Sequence, residues 1–207
     1  MGRLILIIDP QIAFCDAAGS LSKAFGVSEL SAISERLRDL EAFLTKWPNR
    51  DELCVVRSEY GPGQFTGGDL TDPYSQACVP GSSDDCDLSL PQSVVAGVRV
   101  FTKHEESAAT VSELAEMLRV GALKEVLLAG FLTTSCVRKT ALAFRSSLPQ
   151  PVIVGVLEDL TASRASNYRR EPGGVSRHEA ALQELRRSGV IIVHSTSICA
   201  LGGNQLE

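Results

Sequence analysis

Three residues of complementary chemistry stand at the same kind of place in this sequence: Asp9, Lys103 and Cys136 each follow a short apolar run. Asp9 follows "LILII" (4–8), and Lys103 follows "GVRVFT" (97–102). Cys136 lies past "EVLLAG" (125–130) and a short polar turn. A carboxylate can take a thiol proton, an ammonium can hold nearby negative charge, and the resulting thiolate can attack a carbonyl carbon. A free thiol is mostly protonated at neutral pH, its pKa being roughly 8.5. From Cys136 onward, "CVRKTALAFRSSL" reads as a helix. A first helical turn favours a thiolate and offers backbone N–H groups to a developing oxyanion. Thiol, base, cation and oxyanion donors together suit acyl transfer from an amide or related carbonyl. Taken singly, each residue has a plainer role: Cys136 as core filler, Asp9 before Pro10 as the end of a strand, Lys103 as a solvated side chain. Their common position is what argues for chemistry.

The elements that must position them alternate. Apolar strands at 4–8, 52–57, 97–102, 125–130, 151–156 and 190–195 are separated by helical patterns at 28–47, 109–121, 176–189 and after Cys136. In the first helix Leu30, Ile33, Leu37, Leu40 and Leu44 recur at helical spacing. Ser112 reads as a cap of the second helix and Gly121 as its stop. Strands apolar at nearly every position are buried on both faces, so the expected fold is a three-layer α/β/α domain. Its sheet is mostly parallel, six-stranded and doubly wound. One domain spans residues 1–207. In such sheets ligands bind beyond the carboxyl ends of the strands, where all three chemical residues fall. Gly130, at the exit of a buried strand, lets the chain turn sharply there.

Composition narrows the function classes. The 207 residues are 44% hydrophobic and 22% charged with a formal net charge of −5. Without a basic stripe, nucleic-acid binding by bulk charge is not expected. The N-terminal apolar run is too short for a signal peptide or a membrane span, which points to a cytoplasmic protein with no membrane partner. The six cysteines lack CxxC spacing and are expected as free thiols. No GxGxxG or P-loop pattern follows the first strand.

The motifs carry a resemblance. "IIDPQIAF" (7–14), "TKHEESA" (102–108) and "AGFLTTSCVRKTA" (129–141) resemble the acid, lysine and nucleophile segments of the isochorismatase-like cysteine hydrolases. "CVPGSSDDCDL" (78–88), "LEDLTAS" (157–163) and "HEAALQELRRSGVIIVHST" (178–196) are similar to further parts of that family, in order along the chain. The resemblance implies Cys136 as nucleophile forming a thioester, Asp9 as base and then acid, and Lys103 as support for both charges. It implies the backbone N–H groups of Leu132 and Cys136 as oxyanion donors, and a cis peptide bond before Leu132. Phe14 becomes a wall of the site, and Gln11 helps to shape it. Nicotinamidases of that family carry an Asp/His/His metal site after the second strand. Here the region reads "VRSEYGPGQFTGG", without histidine, so neither a metal nor another cofactor is expected. The implied activity is hydrolysis of a C–N bond in a small amide, a ureido or carbamoyl compound, or a lactam. The family also suggests a homo-oligomer.

Two long segments, 58–96 and 159–175, are rich in Gly, Pro, Ser and Asp and read as lids, binding loops or subunit contacts. They supply Tyr60, Phe65, Arg164 and Tyr168 as candidate substrate contacts, and Arg57 ends the second strand. An arginine among them could pair with a substrate carboxylate, or simply be solvated. The alternative from another class is a catalytically idle relative that binds a small molecule or serves as an assembly subunit. Retention of Asp9, Lys103 and Cys136 together speaks against it.

Overall fold

A computed structural model describes residues 2–82, 84–120, 123–170 and 172–202. The strands are β1 (Arg3–Ile8), β2 (Leu53–Ser58), β3 (Arg99–Lys103), β4 (Glu125–Phe131), β5 (Ile153–Ala162) and β6 (Ile191–Val193). The helices are α1 (Ile12–Cys15), α2 (Ser20–Phe25), α3 (Ser31–Lys46), α4 (Gln92–Val95), α5 (Ser112–Val120), α6 (Arg138–Ser147), α7 (Arg177–Arg187) and α8 (Ser195–Gly202). The strands form one sheet in the order β3-β2-β1-β4-β5-β6, every pairing parallel.

Side chains alternate across β1 and so divide the core in two. Ile5 and Ile7 face α3, where Ile33, Leu40 and Leu44 are buried. Leu4, Leu6 and Ile8 face the other layer, with Leu114 of α5, Phe144 of α6 and Leu185 of α7. Each fully buried aliphatic side chain contributes about 1.5–3 kcal/mol, which fixes the strand faces and with them the register. The chain leaves β1 toward β2 on one side, and leaves β4 toward β5 on the other. The crevice between β1 and β4 is therefore the topological switch point, where open α/β sheets bind ligands.

The backbone is tight there. Gly130 pairs with Ile8 at φ 98°, and a Cβ on it would stand 2.1 Å from the Ile8 carbonyl oxygen. The next residue after Ile8, Asp9, has φ 49° and donates its amide to Val56 O at 2.8 Å. Aspartate tolerates this left-handed conformation better than most residues.

Several expectations shift. β5 runs on to Ala162 because the register slips between Leu128 and Gly130, which re-pairs Gly130 with Thr161. The last strand is only three residues long, since the Ser195 amide and hydroxyl both donate to Asp159 and start α8. Ser112 is the first residue of α5 rather than a cap before it, and its hydroxyl donates to Glu113. The Gly121 stop lies outside the described residues. α7 opens with a capping box between Ser176 and Glu179. Among the described residues no helix is long and apolar enough to cross a membrane. Cys15, Cys54, Cys78, Cys86 and Cys136 are free, while the Cys199 side chain lies outside what is described.

Gly130→Ala should therefore be far more damaging than Gly97→Ala. Both sites have positive φ, but only at Gly130 would the Cβ meet backbone. Urea denaturation should show a loss of about 3 kcal/mol or more at Gly130, against about 1–2 kcal/mol at Gly97. Equal losses would mean that the β1–β4 approach does not require glycine.

Candidate active site

Asp9, Lys103 and Cys136 meet at the carboxyl ends of β1, β3 and β4, and all three are buried. Lys103 Nζ lies 2.9 Å from Asp9 Oδ2 and 3.7 Å from Cys136 Sγ. The ammonium donates to Ser58 Oγ at 2.6 Å, Tyr60 OH at 2.8 Å and Glu105 O at 3.2 Å. Ser58 Oγ in turn donates to Asp9 Oδ1 at 2.8 Å. Asp9 Oδ2 faces the ammonium by charge but accepts no aligned hydrogen bond from it. That oxygen keeps a lone pair free for a proton.

Burial works against the Lys103 ammonium. The Asp9 charge beside it, with the Cys136 sulfur, outweighs that loss and holds its pKa above the ordinary lysine value. For Cys136 the balance falls the other way. Burial, then the Asp9 charge, push the thiol up to about 12, although Lys103 pulls it down. The expectation that the helix start and the ammonium would favour a resting thiolate is thus corrected: the cysteine rests as a thiol interacting with the Asp9 carboxylate. The geometry is also not that of a plain α-helical first turn. Thr133–Val137 form a π-helical turn ahead of α6, with Val137 N donating to Leu132 O at 3.2 Å. The peptide bond between Phe131 and Leu132 is cis.

Gln11 shapes the site from below. It accepts from Ser58 N at 2.7 Å and donates to Ser58 O and Cys86 O, both at 3.0 Å. It thereby ties the end of β2 to the 84–88 segment. A cavity of about 180 Å³ opens over the sulfur, walled by Phe14, Tyr60, Phe65, Tyr74 and Glu106. Tyr60 does more than form a wall, since its hydroxyl stands 2.7 Å from Ser58 Oγ and 3.9 Å from Cys136 Sγ. A second chamber of about 460 Å³ adjoins the first through Tyr74, Leu132 and Ser135 and includes Arg164 in its lining.

Three candidate pocket residues do not line these cavities: Gln11, which lies beneath them on Ser58, and Arg57 and Tyr168. Arg57 pairs with Glu59 at 2.6 Å and reaches Thr102 on β3. Tyr168 stacks on His178 with centroids 4.3 Å apart. Sequence reasoning missed Ser58, Tyr74 and Glu106. Ser58 carried a signal, because it directly follows Arg57 at a strand end. Tyr74 and Glu106 lay in irregular segments without periodicity.

The segment after β2 does not suit a metal. Glu59 is held by Arg57, and Gln64 donates to His104 O and accepts from Gly61 N. Among the described residues no cluster of three or more His, Cys, Asp or Glu side chains could hold an ion.

The Isochorismatase domain family matches residues 3–197. No curated protein matches the chain. Among solved structures, the pyrazinamidase of Pyrococcus horikoshii in complex with zinc aligns with TM-score 0.69 at 20% identity, covering 94% of this chain and 99% of that one. PnC1 from L. infantum in complex with nicotinate aligns with TM-score 0.67 at 20% identity, over 94% and 93% of the two chains. An isochorismatase-like hydrolase from Alkaliphilus metalliredigens aligns with TM-score 0.64 at 18% identity, over 96% and 97%. At such identity the likeness is one of fold.

The site electrostatics set two opposite expectations for iodoacetamide labelling of Cys136, read by mass spectrometry of its peptide. Asp9 raises the thiol pKa, so Asp9→Asn should label faster at neutral pH than the native chain. Lys103 lowers it, so Lys103→Met should label more slowly. Shifts of the same sign in both variants would refute this arrangement of charges.

Proposed function

The chain belongs to the isochorismatase family, and from that premise we propose that it is a hydrolase of small amide-type C–N bonds, acting without a metal through Cys136. One observation carries the proposal. A buried carboxylate, ammonium and thiol converge, Lys103 Nζ lying 2.9 Å from Asp9 Oδ2 and 3.7 Å from Cys136 Sγ, beneath a cavity of about 180 Å³. That volume suits a small acyl group between aromatic walls.

The resting state is thiol, carboxylate and ammonium. A carbonyl entering the cavity is attacked by Sγ as Asp9 takes the thiol proton, so no free thiolate precedes the encounter. The negative charge that leaves Asp9 reappears on the carbonyl oxygen, where the backbone N–H groups of Leu132 and Cys136 are the proposed donors. Asp9 then gives its proton to the leaving nitrogen, and the C–N bond breaks to a thioester. A water deprotonated by Asp9 attacks the thioester and releases the acid, and the proton returns to sulfur. Lys103 stays beside the Asp9 carboxylate and offsets negative charge on sulfur as it forms. The substrate class spans primary amides, ureido or carbamoyl compounds and lactams. The same reading includes a homo-oligomeric, cytoplasmic protein, in which the partly exposed Phe25 and Phe65 beside the cavities give a second copy apolar surface to cover.

The test is ammonia release from a panel of primary amides, ureido acids and carbamoyl compounds, with folding checked by circular dichroism. The native chain should release ammonia and Cys136→Ala should not. Asp9→Asn should lose about 10²–10⁴-fold in kcat even though its thiol is more acidic. Equal release by Cys136→Ala would remove the cysteine from the mechanism.

A further inference from the structure

The larger chamber beside the cysteine cavity has a charge opposite to that of the protein. The whole chain carries −5, yet the chamber is lined by three arginines, Arg138, Arg164 and Arg177, against one acid, Glu184. Arg138 is committed to that acid at 2.7 Å, while among the described residues neither Arg164 nor Arg177 forms an ion pair and Arg164 meets only the longer-range charge of Glu29. Arg177 is exposed, while Arg164 is half-buried and set in place. Its guanidinium carbon lies 4.1 Å from the Phe25 ring centroid, a cation–π contact that restrains the side chain. Glu29, whose charge Arg164 feels, directs its Oε2 elsewhere, accepting from the Ser166 amide at 3.0 Å and the Ser166 hydroxyl at 2.7 Å. Among the described residues the Arg164 guanidinium makes no hydrogen bond or ion pair, although its backbone carbonyl accepts from Asn167 N at 2.9 Å.

A restrained, partly desolvated guanidinium with no internal acceptor is a half-made bidentate pair. The cysteine cavity and this chamber share Tyr74, Leu132 and Ser135 as walls. These shared walls set the chamber that holds Arg164 directly beside the cysteine cavity. We propose that the substrate is an acidic amide, with its scissile carbonyl at Cys136 and a terminal carboxylate held by Arg164. This deepens the amidohydrolase reading and rests on it for the reacting end only. The chamber holds the non-reacting end, and its binding strength is separable from turnover.

The experiment compares acidic and neutral amides of matched length, succinamate with butyramide and glutaramate with valeramide, in the native chain and in Arg164→Met. The native chain should favour the acidic member by about tenfold or more in kcat/KM, the worth of a charge-assisted pair. In Arg164→Met that preference should fall toward one, through KM for the acidic member. Equal or better use of the neutral amides, or an unchanged preference in Arg164→Met, would overturn the assignment. A second readout needs no catalysis. Glutaramate should protect Cys136 from iodoacetamide in the native chain at concentrations where valeramide does not, and should lose that advantage in Arg164→Met. Protection without any turnover would keep the carboxylate subsite and sink the hydrolase reading. Absence of differential protection would sink the subsite.

Discussion

The Asp9–Lys103 pair is a fully buried ion pair at the switch point of a parallel sheet, and the surrounding structure is arranged to keep it charged. Removing two charges from water costs several kcal/mol each unless the remaining donors and acceptors are satisfied. Ser58 and Tyr60 meet that demand by accepting from the ammonium, and Ser58 passes a hydrogen bond on to Asp9 Oδ1. Gln11 then locks the Ser58 backbone through both its N–H and its carbonyl. Within this network the atom left without a hydrogen-bond partner is Asp9 Oδ2, which faces the Lys103 ammonium. Under the proposed mechanism that is the oxygen open to the thiol proton.

Strand order explains how distant residues come together. Asp9 and Cys136 are 127 positions apart in sequence, yet their strands are neighbours because β1 and β4 flank the point where the winding reverses. The glycine contact between Gly130 and the Ile8 carbonyl sets the spacing of those two strand ends. Lys103 arrives from the far edge, two strands away, and its length lets the ammonium cross beneath Ser58 and Tyr60. A shorter side chain on β3 would not reach.

Much of this was legible in the sequence, and the reason is periodicity. Strands buried on both faces are apolar throughout, and helices repeat at 3.6 residues, so the sheet, α3 and α7 announced themselves. The convergence of Asp9, Lys103 and Cys136 followed from their places after strands, since parallel strands share a common end. What the sequence concealed depends on two things it does not encode locally. One is burial, which reversed the sign expected for the Cys136 thiol. The other is the path of irregular loops, which brought Tyr74 and Glu106 inward and turned Arg57 toward Glu59 and Tyr168 onto His178. The length of β5 was hidden for a related reason, because a register slip leaves no mark on composition.

The height of the Cys136 pKa has a consequence beyond the reaction. Peroxides and stray electrophiles consume thiolates, and they consume thiols far more slowly. Under the proposed mechanism, a sulfur held protonated beside a carboxylate is armed only while a carbonyl occupies the cavity above it. The same desolvation that makes the Cys136 thiol slow to ionise therefore shields it from oxidation. Durability and latency here are one property of the buried thiol.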